Sequence, residues 1–180
     1  MEKNKKLRLL VTKECHNNCP KCCNKQYDLD SVPVIDRFDY DEVCITGGEP
    51  MLEPNKVAAI AQMFKNVAKC LGKKVKVYVY TALLDHNFLR NTARAGLIDG
   101  FVVTPHTKID IGRFKALNYY LSDPNCFVKV RDMSLRLNLF ADVKEQLKDE
   151  DLSRWKIKDM EWLDECPVPE GEDFRRIANI

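Results

Sequence analysis

The sequence has no apolar run of the roughly 18 residues needed to cross a bilayer, which excludes a membrane-spanning helix. No secretory leader is expected, because the apolar positions after Met1-Glu-Lys-Asn-Lys-Lys end before Thr12. That is too short for a signal-peptide core. There is no internal repeat, no low-complexity tract and no Gly/Ser linker. Net charge is nearly absent: 29 Lys and Arg stand against 27 Asp and Glu, net +2. Nothing in that balance calls for nucleic acid as a partner. With 45% hydrophobic and 31% charged residues, the chain is not intrinsically disordered either.

What is present is enough for one domain. A chain of 180 residues buries roughly 70% of its extended surface on folding. Charge is uneven along it: residues 141–180 hold 7 basic and 12 acidic side chains, net −5. Eight cysteines occur. In the cytoplasm, the expected location, thiols stay reduced, so these cysteines point to a metal site or to catalysis rather than to disulfides.

Strand and helix signals alternate. Leu7–Thr12 and Glu42–Thr46 read as strands, the second stopped by Gly47-Gly48. Pro54 suits a helix's first turn. Val57, Ile60, Ala61, Phe64, Val67, Ala68 and Leu71 follow at helical spacing, and Gly72 is the stop. Val75–Thr81 is a third strand, Asp85–Ala95 a helix ended by Gly96, and Phe101–Thr104 a fourth strand. A helix carries Ile111, Phe114, Leu117 and Leu121; Phe127–Val130 and Leu135–Phe140 are further strand candidates. Asp142 and Glu145 mark another helix start, and residues 26–40 read as loop. Such alternation means βα units on a parallel sheet. Eight units need about 200–250 residues; four to six fit here, giving a partial, open barrel. Residues 1–152 form the core domain, and 153–180, with Trp155 and Trp162, pack back on it or on a partner.

The chemistry concentrates in the loop after the first strand, Cys15-His-Asn-Asn-Cys19-Pro-Lys-Cys22-Cys23. In a parallel α/β fold this is the C-terminal edge of the sheet, where active sites lie. Three thiolates spaced by four and three residues can hold three irons of a cubane, leaving one iron open to another ligand.

The spacing Cys15-x3-Cys19-x2-Cys22, joined to Gly47-Gly48-Glu49-Pro50 after the second strand, resembles the signature of the radical S-adenosylmethionine (radical SAM) enzymes. The resemblance covers residues 7 to about 140. It implies a partial (βα)4-6 open barrel with helices outside the parallel sheet. It implies one [4Fe–4S] cluster on Cys15, Cys19 and Cys22, and SAM bound at the open iron and along Gly47, Gly48, Glu49 and Pro50. It further implies reductive cleavage of SAM to a 5′-deoxyadenosyl radical that abstracts hydrogen from a substrate. A flavodoxin- or ferredoxin-like electron donor is the implied partner. Thr81 corresponds to a ribose contact. Arg131, at the end of a strand candidate, is suited to pair with a carboxylate of SAM or substrate, and His106 lies at the active edge as a catalytic candidate. An aromatic residue usual before the third cysteine is here Lys21. Cys19-Pro-Lys-Cys22-Cys23-Asn24 is similar to the activases of anaerobic ribonucleotide reductase, whose substrate is a glycyl-radical enzyme. Thr104-Pro105-His106 is similar to a segment of the 7-carboxy-7-deazaguanine synthases, which act on a small molecule.

Other roles remain for the remaining residues. Cys23 reads as a non-ligand, His16 as a residue that tunes the loop, and Cys44 and Cys70 as small core residues. From a different class, Cys15, Cys19, Cys22 and Cys23 could form a zinc or iron–sulfur module without catalysis.

Overall fold

The computed structural model describes residues 5–123, 130, 132–165 and 167–179. Among these, the strands β1 (Lys6–Leu10), β2 (Glu42–Thr46), β3 (Lys76–Thr81), β4 (Gly100–Val103), β5 (Ser134–Phe140), β6 (Lys156–Met160) and β7 (Glu172–Arg176) form one open sheet. Its order is β6-β5-β4-β3-β2-β1-β7, and every pair is parallel. The helices are α1 (Pro54–Cys70), α2 (His86–Ala95), α3 (Lys108–Ser122) and the short α4 (Ala141–Gln146).

The local signals act as their chemistry requires. Pro54 opens α1, and its apolar stripe of Val57, Ile60, Ala61, Phe64 and Ala68 is buried. Asp85 caps α2 by accepting the Asn87 and Phe88 backbone N–H groups, and Gly96 closes it at φ 63°. Thr107 and Asp110 form a capping box at the start of α3. The strand candidate Phe127–Val130 lies outside the described residues except for Val130.

From β1 to β6 each crossover steps one strand in the same direction. Parallel crossovers are almost always right-handed, so a constant direction puts every helix on one face. The core confirms it: Leu7, Leu9, Val43, Ile45, Val77, Val79, Phe101, Val103, Leu135, Leu137 and Leu139 meet α1 to α4 in one apolar cluster. The alternate residues, among them Arg8, Cys44, Tyr78, Tyr80 and Arg136, occupy the face without helices.

The chain beyond residue 152 supplies both edges of the sheet, as β6 beside β5 and β7 beside β1. Neither strand was legible in the sequence. Lys-Ile-Lys-Asp-Met and Glu-Asp-Phe-Arg-Arg are charged, as suits edge strands. Partners distant in sequence hold β7: Arg8 Nε donates to Glu172 (2.8 Å) and Tyr40 OH to Asp173 (2.6 Å). Before β6, Trp155 is buried against Phe114, with ring centroids 5.1 Å apart. Its indole N–H donates to Asn118 Oδ1 at 3.0 Å, and Asn118 Nδ2 donates to the Asp151 carbonyl at 3.1 Å.

Trp155→Ala should therefore remove a large buried ring and strand the Asn118 carbonyl. The expected loss is about 3–5 kcal/mol, or roughly 10 °C in melting temperature for a domain of this size. Ile157→Thr, at an edge position 44% exposed, should change stability by less than about 1 kcal/mol. Thermal melts followed by circular dichroism compare the two.

Candidate functional site

The loops after β1 and β2 are laced together beyond the ends of their strands. The Gly48 N–H donates to Thr12 O (2.8 Å), and the Glu49 N–H donates to Glu14 O (2.7 Å). Gly47 has φ 154°, and a Cβ there would stand 2.5 Å from Thr12 O. A Cβ on Gly48 would stand 2.0 Å from Glu14 O. The two glycines thus permit close approach of the chain to itself, immediately before Cys15. Their carbonyls accept no hydrogen bond from the described residues, so they are the groups free to receive an ammonium donor.

Glu49 is buried at 2% exposure. Its carboxylate accepts from the Met51 N–H (2.9 Å), the Ala82 N–H (2.8 Å) and the Thr81 hydroxyl. Burial holds its carboxyl above the usual carboxylate range, and the three donors offset only part of that rise. Thr81 in turn accepts the Leu83 N–H at 2.8 Å. Glu49 and Thr81 therefore tie the end of β2 to the end of β3, and the Thr81 hydroxyl proton is engaged there. Pro50 starts a 3-10 turn, Pro50–Leu52, of which Pro50 and Met51 are buried.

Cys15 is exposed, Cys19 and Cys22 are half-buried, and all three are free thiols. Burial raises the Cys15 thiol, and the neighbouring charges of Glu49, Cys22 and Asp110 raise it further. Burial also raises Cys19, as do Cys22, Cys15 and Asp110. Three thiolates so placed repel one another, and a bound cationic centre is what would make them tolerable together. Among the described residues no three His, Cys, Asp or Glu side chains converge as around a single ion. A cubane takes each thiolate on its own iron, so its ligands stand further apart than those of a single ion. The donor set therefore fits an iron–sulfur cluster.

Asp110 holds this loop in place, a role the sequence reading missed. It has no exposed surface. His16 Nε2 lies 2.8 Å from Oδ1, Asn17 Nδ2 donates to Oδ2 at 2.8 Å, and the His106 and Thr107 N–H groups donate at 3.0 Å. Burial alone would raise its pKa; these donors overcome that and hold it below the usual range. The available signal was Thr107-x-x-Asp110, readable as a capping box, but its partners in the cysteine loop were not readable. Lys25 steadies the same loop by donating to Asn18 Oδ1 (2.6 Å) and Cys19 O (3.0 Å).

His106 comes to the cysteine loop as its strand position suggested. Its ring packs against Phe140 (5.5 Å) and Trp162 (5.6 Å), which stack on each other at 4.1 Å. Burial lowers its pKa, and its Nδ1 is buried without a partner among the described residues. His106, Thr107 and Trp162 share a cavity of about 140 Å³ with Asn17, Asn18, Cys19 and Pro20. A larger depression, about 450 Å³, lies between Ala93–Asp99 and Asp132–Met133, at the opposite edge of the strands. Lys21 forms an exposed ion pair with Asp164 (2.6 Å), the kind that adds little stability.

Two expectations change. Cys70 is exposed at the end of α1, whereas Cys44 is buried, with its thiol pushed up to about 11 chiefly by burial. Cys23 is disulfide-bonded, against the expectation of reduced cysteines throughout. Arg131 lies outside the described residues.

Gly48→Ala should drive a methyl group into the Glu14 carbonyl and displace the start of the cysteine loop, at about 2–3 kcal/mol. Gly112→Ala, in α3 with nothing within 4 Å of the added Cβ, should gain about 0.5–1 kcal/mol. Urea denaturation midpoints of the two variants should move in opposite directions.

Compared with protein-family models and with curated proteins, the chain matches none significantly, so a functional reading stands on these residues and their geometry.

Proposed function

We propose that this chain is a radical SAM enzyme, with its sheet as the partial barrel of that family. The observation that carries the reading is one junction at the C-terminal edge of the sheet. There, three free thiols lie in the loop that Gly48 and Glu49 bind through Thr12 O and Glu14 O. Cys15, Cys19 and Cys22 would hold one [4Fe–4S] cluster, and SAM would take its open iron. When bound, cluster and SAM supply a reductively generated 5′-deoxyadenosyl radical that removes a hydrogen atom from the substrate.

The chain's own residues provide position and shelter. The Gly47 and Gly48 carbonyls would serve as acceptors for the methionyl ammonium. Glu49 keeps that turn rigid from beneath rather than touching SAM. Asp110 fixes His16 and Asn17, and so the spacing from Cys15 to Cys19. Trp162 and His106 line the cavity beside Cys19 and would limit the access of water to the reacting centre. Reduction requires an electron donor of the flavodoxin or ferredoxin kind. The substrate is either a glycine on a glycyl-radical partner or a small molecule.

Anaerobic reconstitution tests the reading. The wild-type chain should take up iron and sulfide in equal number with a broad brown absorption. With dithionite and SAM it should release 5′-deoxyadenosine and methionine. Cys15→Ala, Cys19→Ala and Cys22→Ala should each lose stable loading, while Cys44→Ala and Cys70→Ala keep it. Full loading of Cys19→Ala would overturn the assignment, and zinc without the absorption would favour a non-catalytic metal module.

A further inference from the structure

The face of the sheet without helices carries a charge imbalance that the site above does not use. Its two acidic side chains are already paired: Glu172 with Arg8 (2.8 Å) and Glu42 with Lys6 (3.8 Å). Arg136, Lys156 and Lys158 share the face and have no carboxylate partner among the described residues. Arg136 and Lys156 are direct cross-strand neighbours, and Lys158 lies opposite Asn138, two residues further along. Neighbouring strands are about 4.8 Å apart and alternate residues about 7 Å apart, so three cations crowd one small patch. Like charges directly opposite each other destabilise a sheet. Edge protection accounts for lysines on β6, but not for Arg136 facing them from the inner strand β5.

Arg136 is also held in place. Its guanidinium lies over the Tyr78 ring, 5.3 Å from the centroid, and its Nε donates to Ser134 Oγ at 3.2 Å. Between Tyr78 and Ser134 the strand partner is Gly100. A Cβ there would stand 2.4 Å from Ser134 O and 3.0 Å from Tyr78 Cδ1. The glycine lets the tyrosine ring lie close to β4. A stacked guanidinium with free N–H groups is prepared for a carboxylate or phosphate, which it can grip with two parallel hydrogen bonds. Beside it, Asn138 Nδ2 donates to Thr104 Oγ1 at 3.2 Å, a polar margin toward the cavity of His106.

We infer that this face binds the carboxylate or phosphate of a small anionic substrate, with Arg136 over Tyr78 as the contacting residue and Lys156 and Lys158 supplying the attracting field. Calling the ligand a substrate rests on the radical SAM reading; the anion site itself does not. The carboxylate of SAM is not the anion in question. It belongs with the ammonium at Gly47-Gly48 after β2, three strands from β5 and so about 14 Å away along the sheet. A glycine-bearing loop of a partner protein would bring no charge that these cations need, so the small-molecule substrate is favoured over the glycyl-radical one.

The test uses the full chain without cluster or SAM, so it is independent of whether the cysteines bind iron. Inorganic phosphate and acetate are titrated separately at low salt, with backbone amide shifts of residues 134–138 and 156–158 as the readout. Saturable shifts with phosphate alone identify a phosphorylated ligand, and with acetate alone a carboxylate. Arg136→Gln and Lys158→Gln should each weaken binding at least about fivefold. Arg136→Lys should recover only part of it, because it restores charge without the fork. Lys148→Gln, an equal charge change at an exposed residue paired with Glu145, should leave binding unchanged. Absence of saturable binding of either anion, or equal binding by Arg136→Gln, overturns the proposal. So does saturable binding of an acidic peptide in place of both small anions, which would make the face a protein-docking surface.

Discussion

The constraint on which the structure depends is the combination of strand order with crossover hand. Each step from β1 to β6 adds a strand on the same side. Right-handed crossovers then leave no choice about where the helices go. They cover one face, against which the branched and aromatic residues of the strands pack. A parallel sheet is normally buried on both sides; here the second side keeps Arg8, Cys44, Tyr78, Tyr80 and Arg136. The same winding directs every βα loop to one edge. The cysteine loop, the Gly-Gly-Glu-Pro turn, Thr81 and His106 come from four different strands and meet at that edge.

Two buried carboxylates hold the edge together. Glu49 ties the turn after β2 to the end of β3, and Asp110 ties the cysteine loop to the start of α3. Each would be costly to bury without partners, and each has several donors. Their roles are positional. They fix the loops from which the thiols and the glycine carbonyls project, while those groups themselves remain available. The glycines follow the same logic, since Gly48 is required by the Glu14 backbone behind it. A motif that reads in sequence as a ligand cradle is, on its buried side, a packing junction.

The acidic C-terminal segment completes the sheet instead of trailing from it. Strand β6 extends one edge and β7 the other, and on the way Trp162 lines the cavity beside Cys19. Backbone pairing and a few long-range contacts, such as Trp155 with Asn118 and Tyr40 with Asp173, outweigh a local composition with weak strand preference.

The sequence by itself determined the βα alternation, the limits of β2, the caps of α1 and α2, and the place of the cysteine loop at the C-terminal edge. Those features depend on periodicity and on cap or turn chemistry, which act between residues a few positions apart. It also showed His106 at the C-terminal edge of the sheet, because a strand's end can be read locally. The tertiary structure alone decided that β6 and β7 are strands, that Cys70 faces solvent, that Glu49 and Thr81 bind each other, and that Asp110 anchors His16. Those outcomes come from pairs as distant in sequence as the 94 residues between His16 and Asp110. No local pattern encodes such a pair; it exists only once the winding of the sheet has brought the loops after β1 and β4 to the same edge.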